Sequence, residues 1–169
     1  MAYTLVQMRG LVRDRCGLDS TDATATDSIV NSLVNTALRH VAAEFSWDFH
    51  KTFEDLAFAA GTASVAPNAN WRKSDRLVDI TDGTARNLTL QTPEMLDSYV
   101  QSVRSTPVAW CVEGGLIRVA PTPGSARTLR HYYYRAETTL SLDADVSLVP
   151  DWAIDLVIIR AARSVAARM

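Results

Sequence analysis

The period of the apolar residues changes twice along the chain, and nothing else in the sequence restricts the fold as strongly. Leu5, Met8, Leu11 and Val12 recur at helical spacing over residues 4–16. A broader stripe follows: Ile29, Val30, Leu33, Val34, Ala37, Leu38, Val41, Ala42 and Phe45. From residue 51 the repeat shortens toward that of a pleated strand, and helical spacing returns after residue 149. Helices at both ends around segregated strands predict an α+β fold rather than a doubly wound sheet. One domain is expected over residues 1–169. Residues 1–47 and 149–169 form its helical part and residues 51–136 a β-rich insertion with a short helix near 93–103. The terminal helices then pack on each other, and the middle makes an antiparallel sheet or small β-sandwich.

Local signals place the boundaries. Thr4 and Gln7 have capping-box spacing, and Gly17 stops the first helix. Residues 51–59 read as β structure, and residues 60–74, rich in Ala, Asn, Gly and Pro, as turns and an exposed loop. Thr81-Asp82-Gly83-Thr84 suits a hairpin between residues 76–80 and 87–90. Thr92, Pro93 and Glu94 open the short helix. Val108, Trp110 and Val112 alternate, Gly114-Gly115 turns the chain, residues 116–120 return, and Pro121 and Pro123 break the run. Residues 127–135 form a third strand of this meander, with Leu129, His131 and Tyr133 on one face and Tyr132 and Tyr134 on the other. Residues 140–148 read as a polar, acidic connection. Pro150, Asp151 and Asp155 early, with Arg160, Arg163 and Arg168 late, match the dipole of a closing helix.

Charge bears on the partners. The 17 basic and 19 acidic side chains leave a formal net charge of -2, so no global positive excess exists to neutralise nucleic-acid phosphates. Arg9 and Arg13 interrupt the N-terminal apolar positions, which excludes a signal-peptide pattern, and no apolar run reaches the ~20 residues a membrane helix needs. No membrane partner is expected. Cys16 and Cys111 are too few for a metal cage and read as reduced thiols.

The residue types that carry catalysis lack the spacings that would assemble them. No Gly-x-Ser-x-Gly elbow occurs, and Cys111 lies within a strand. His40, His50 and His131 have no second ligand at metal spacing and read as ordinary surface or partly buried histidines. Glu54-Asp55, Asp143/Asp145 and Asp151/Asp155 could in principle supply acid and base, but Asp143 and Asp145 sit in a polar connection where solvation is the default, Asp151 and Asp155 are explained by the helix start, and no functional pair is expected. Catalytic, cofactor-binding and metal-ligating residues are therefore expected to be absent. An enzyme reading requires a pocket that gathers distant residues, such as His131 with a carboxylate, and a perturbed titration in that cleft. Tyr132-Tyr133-Tyr134 between Arg130 and Arg135 has the composition of a single-stranded nucleic-acid platform, but alternation sends the central ring to the opposite face, which favours sheet packing. Trp71, with Arg72 and Lys73, sits in the expected loop, where two readings stand: an anchor for a partner, or an indole folded back over the core. Arg160, Arg163 and Arg168 complete the candidate partner contacts.

Several motifs, in order, resemble the head-to-tail adaptor or connector family of tailed bacteriophages. Val34-Asn35-Thr36-Ala37-Leu38-Arg39 followed by Phe45-Ser46-Trp47 is similar to that family's second helix. Pro107-Val108-Ala109-Trp110, Gly114-Gly115-Leu116-Ile117, Pro121-Thr122-Pro123 and residues 129–134 resemble its central strands, and Leu148-Val149-Pro150-Asp151-Trp152 its closing element. Asn70-Trp71-Arg72-Lys73-Ser74 departs from the Leu-Pro-x-Asp-Phe-like turn of many relatives. The resemblance implies a structural virion protein of the neck, assembled in the host cytoplasm. It forms a homo-oligomeric ring, a dodecamer, on the portal protein and meets a tail, stopper or nozzle protein, while DNA passes through the lumen without specific binding. No cofactor is implied. The competing readings are another virion or baseplate component and a single-stranded nucleic-acid-binding module.

Overall fold

The computed structural model describes residues 2–22, 25–44, 46–99 and 103–168. The chain divides into two compact units, Met1–His50 with Ala136–Met169, and Lys51–Arg135. In chain order the first unit begins with β1 (Ala2–Thr4), α1 (Leu5–Cys16), α2 (Asp27–Glu44) and a 3-10 turn at Asp48–His50. The second contains β2 (Lys51–Phe58), β3 (Ser64–Val65), β4 (Trp71–Asp79), β5 (Arg86–Asn87), β6 (Thr89–Leu90) and α3 (Pro93–Asp97). It continues with β7 (Ala109–Glu113), β8 (Leu116–Ala120) and β9 (Arg127–Arg135). The chain then returns to the first unit through β10 (Val146–Pro150) and α4 (Asp151–Ala166). The α+β class, with helices at both chain ends, is as the periodicity predicts.

In the helical unit, α1, α2 and α4 bury a common core that includes Leu5, Met8, Val12, Val34, Leu38, Val41, Ile154, Val157 and Ile158. Both ends of α1 are closed as their sequence dictates. Thr4 and Gln7 form the reciprocal capping box, and Gly17 takes the left-handed conformation at φ 66° that a C-terminal cap requires. The stripe on α1 differs from expectation. Leu11 is exposed, whereas Arg9 and Arg13 are buried. Their guanidinium groups find acceptors: Arg9 donates to both oxygens of Asp143 at 3.0 and 3.3 Å, and Arg13 to Asp27 at 2.5 Å and the Ala25 carbonyl at 2.9 Å.

The connection over residues 140–148 is more ordered than its polarity suggested. β10 pairs antiparallel with β1, so two strands stand where the sequence showed none. Asn35, on α2, explains part of this order, because its side chain accepts from Leu140 N–H at 2.8 Å and donates to Leu140 C=O at 2.9 Å. The first amides of α1 also donate into the segment, Leu5 to Asp145 C=O and Val6 to Asp143 C=O. Asp145 accepts from the Ser141 and Leu142 amides, chiefly the latter, which holds its carboxyl below the ordinary carboxylate value.

The second unit contains two four-stranded sheets, ordered β2-β9-β4-β5 and β3-β8-β7-β6. Leu56, Phe58, Leu77 and Leu129 from the first meet Trp110, Ile117 and Val119 from the second in one core. The Gly114-Gly115 hairpin between β7 and β8 is as expected, with φ values of 57° and 78°. The expected three-strand meander is not formed. β9 leaves β8 and lies between β2 and β4, where both of its ladder edges are paired. The expected hairpin also splits: β5 pairs with β4 at Val78↔Asn87, while β6 runs parallel to β7 in the other sheet. The short helix ends at Asp97, with Ser98 as its cap, rather than near residue 103. Residues 100–102 and Phe45 lie outside the described residues.

Candidate functional site

Trp71, Arg72 and Lys73 lie in β4, not in a loop. Two register irregularities shape this strand, between Trp71 and Lys73 and between Ser74 and Arg76. Residues three apart in a regular strand point to opposite faces. With Arg72 as an extra residue, Trp71 and Ser74 instead share a face. The indole Nε1 donates to Ser74 Oγ at 3.0 Å. Trp71 is half-buried and, with Arg72, Lys73, Leu90, Met95 and Val112, lines a groove of about 750 Å³ that Ser74 also reaches. The ring is hydrogen-bonded within its own unit and lines an open groove.

Beneath this groove lies an arrangement that the sequence did not disclose. Glu54 of β2 pairs directly with His131 of β9, and Ser74 of β4 pairs with Tyr133, so all these side chains point to the inner face of the sheet. Glu54 Oε1 is 3.0 Å from His131 Nδ1, and Ser74 Oγ is 2.9 Å from Nε2. The carboxylate can only accept, so Nδ1 carries the hydrogen and Nε2 is an acceptor for the serine hydroxyl. Burial pushes the His131 imidazole below its ordinary pKa, against the opposing pull of Glu54. Tyr133 stacks on the imidazole at 5.2 Å and Trp110 meets it edge-on at 6.2 Å. Neither His131 nor His50 is a surface or partly buried histidine: both are 0% exposed. His50 faces Glu137 Oε2 at 2.8 Å in the helical unit. Sequence alternation placed His131 inward, and an inward histidine requires polar partners on neighbouring strands.

The opposite face of the same sheet pairs its rings and cations with one another. The Arg76 guanidinium covers the Tyr132 ring at 4.2 Å, and Arg130 covers Phe53 at 4.4 Å. Asp55 forms a two-pronged pair with Arg130 at 2.7 and 2.9 Å, and Asp75 pairs with Lys51 at 2.9 Å. Tyr132 thus already carries a guanidinium plane, and Arg130 already has a carboxylate partner.

On the helical unit, Arg160 and Arg163 are brought together. They line a groove of about 280 Å³ with Val41, Trp47 and Leu156. Arg160 donates to Glu44 at 2.9 Å. Arg168 lies beyond the end of α4 and does not line this groove. The spacing in the sequence did not disclose the aromatic cluster beside it: Trp152 meets Trp47 at 5.8 Å and Phe49 at 6.0 Å yet remains 70% exposed, and Leu156 is 47% exposed. Both thiols are free, and Cys111 is buried within β7. Among the described residues, no group of three or more His, Cys, Asp or Glu could hold a metal ion, and no helix is long and apolar enough to cross a membrane.

A helical bundle and a two-sheet unit thus each carry an open groove. The chain belongs to the SU10 adaptor protein family, a family of phage head-tail adaptors, whose model matches residues 3–168. None of the curated proteins matches it. The protein is accordingly a bacteriophage structural adaptor, of a class that works with portal and tail components.

Proposed function

We propose that this adaptor assembles as a dodecameric ring on the portal, at the neck of the virion, and continues the DNA channel toward the tail. The family match over residues 3–168 carries this reading. The exposed Trp152 and Leu156 beside Arg160 and Arg163 support a contact on the helical unit, which we assign to the portal, with Arg168 extending it. The groove at Trp71, Arg72 and Lys73 then receives the tail, stopper or nozzle protein. A net charge of -2 suits a channel along which DNA slides without specific binding. The ring assembles in the host cytoplasm before the tail joins. Each stable contact buries at least about 1,000 Å².

Native mass spectrometry of the chain, alone and mixed with the portal protein of the same virus, tests this reading. A discrete ring-sized complex containing both proteins is expected. A chain that stays monomeric and ignores the portal refutes it.

A further inference from the structure

We propose that Ser74 is an acyl-accepting nucleophile, with His131 as its general base and Glu54 as the residue that orients the base, and that short apolar acyl esters are its substrates. This goes beyond the adaptor reading and does not depend on the ring. The geometry meets the two conditions for an activated serine: the base lies within hydrogen-bond reach of the hydroxyl, at 2.9 Å, and a third group holds the base, at 3.0 Å. Every hydrogen in the chain of contacts has one direction. Ser74 Oγ accepts the Trp71 indole N–H, so the only hydrogen left to face His131 Nε2 is the hydroxyl's own. A hydroxyl oxygen has two lone pairs, and Trp71 occupies only one of them.

The surroundings fit the chemistry. The base is buried and neutral, while the serine reaches an open groove. Leu90 and Met95 stand 58% and 56% exposed in that groove, beside Val112, and offer an apolar wall for the acyl chain. Arg72, the extra residue of β4, also lines the groove. The strand irregularities on either side of Ser74 are of the kind that re-aims side chains beside reactive sites. Satisfying a buried histidine needs only one acceptor and one donor. It does not need the donor to open onto a groove.

In the reaction, Ser74 Oγ attacks the ester carbonyl carbon as its proton passes to His131 Nε2. The bond to the leaving alcohol or phenol breaks, the leaving oxygen takes that proton, and an ester remains on Ser74. Water then repeats the sequence through His131 and releases the carboxylic acid, restoring the hydroxyl.

The test uses the full chain with p-nitrophenyl butyrate, reading released p-nitrophenolate and mapping the butyryl adduct by peptide mass spectrometry. The adduct is expected on Ser74 in preference to every other hydroxyl and amine. Acylation there is expected to be about 100-fold slower in His131→Gln, the usual scale of a positioned general base, and slowed also in the more conservative Glu54→Gln. Thermal melting checks that the variants fold, and the adduct map of the unaltered chain stands even if His131→Gln does not. Label scattered over surface side chains with no preference for Ser74 overturns the proposal. So does Ser74 labelling at an unchanged rate in folded Glu54→Gln, which would leave the contacts a purely structural network.

Discussion

Glu137 is a buried acceptor in the helical unit on which several donors depend. Its side chain and that of His50 are both 0% exposed. One oxygen receives His50 Nε2 at 2.8 Å, and the other receives Leu148 N–H at 3.0 Å and the Ser147 hydroxyl at 3.3 Å. Glu137→Ala removes the partner of all three. Each orphaned buried donor costs about 1–3 kcal/mol, and breaking a buried pair from one side costs about 3–5 kcal/mol. The Ser147 hydroxyl can rotate to another partner, so the expected loss is about 4 kcal/mol, a large share of the 5–15 kcal/mol that holds a typical fold together. Glu137→Gln keeps an oxygen for Leu148 and Ser147 and turns an amide toward His50, whose Nε2 accepts only in the tautomer that carries the hydrogen on the buried, unpartnered Nδ1; about 2 kcal/mol is expected. Urea unfolding followed by far-ultraviolet circular dichroism, which reports mainly α1, α2 and α4, gives both values. A loss below about 1 kcal/mol for the alanine variant would refute the reasoning, because it would mean that the three donors find water or other acceptors at no cost.

Further outcomes follow from single residues. Asn35→Ala breaks both bonds to Leu140 and is expected to cost about 2 kcal/mol by the same unfolding assay, with faster amide exchange at Leu140. Gly115 sits at φ 78°, so Gly115→Val is expected to destabilise the β unit by about 1–2 kcal/mol, whereas Gly114→Asn is expected to be nearly neutral in thermal melting. Because Trp152 is 70% exposed, Trp152→Ala is expected to change stability by less than about 1 kcal/mol but to weaken ring or portal assembly at least about tenfold, read by native mass spectrometry. The imidazole of His131, faced by Glu54, Ser74, Tyr133 and Trp110, binds its proton less readily folded than unfolded. The unfolded chain therefore gains the proton first as pH falls below about 6.5, and the β unit loses stability from there downward. Urea midpoints at pH 7 and pH 5 measure this, with a smaller difference expected in His131→Gln.

What the sequence determined by itself are the features whose physics is local. The Thr4/Gln7 box and Gly17 bound α1 because cap geometry involves only neighbouring residues. The apolar stripe of α2 and the Gly114-Gly115 turn are fixed in the same way, by period and by backbone angle. The tertiary structure decided which strands meet. Nothing in residues 127–135 says that β9 pairs with β2 and β4 rather than β8, and β1 finds β10 from the far end of the chain. Arg9 and Arg13 only interrupt an apolar run in the sequence, and it is Asp27 and Asp143, brought beside them by the fold, that allow them to be buried. The same holds for Glu54, Ser74 and His131. Separately they are an acidic strand residue, a serine in a polar stretch and a lone histidine. They become a connected set because three strands lie side by side and an extra residue in β4 turns Trp71 to the face that Ser74 occupies, a juxtaposition that only long-range pairing and a local break in the pleat can produce.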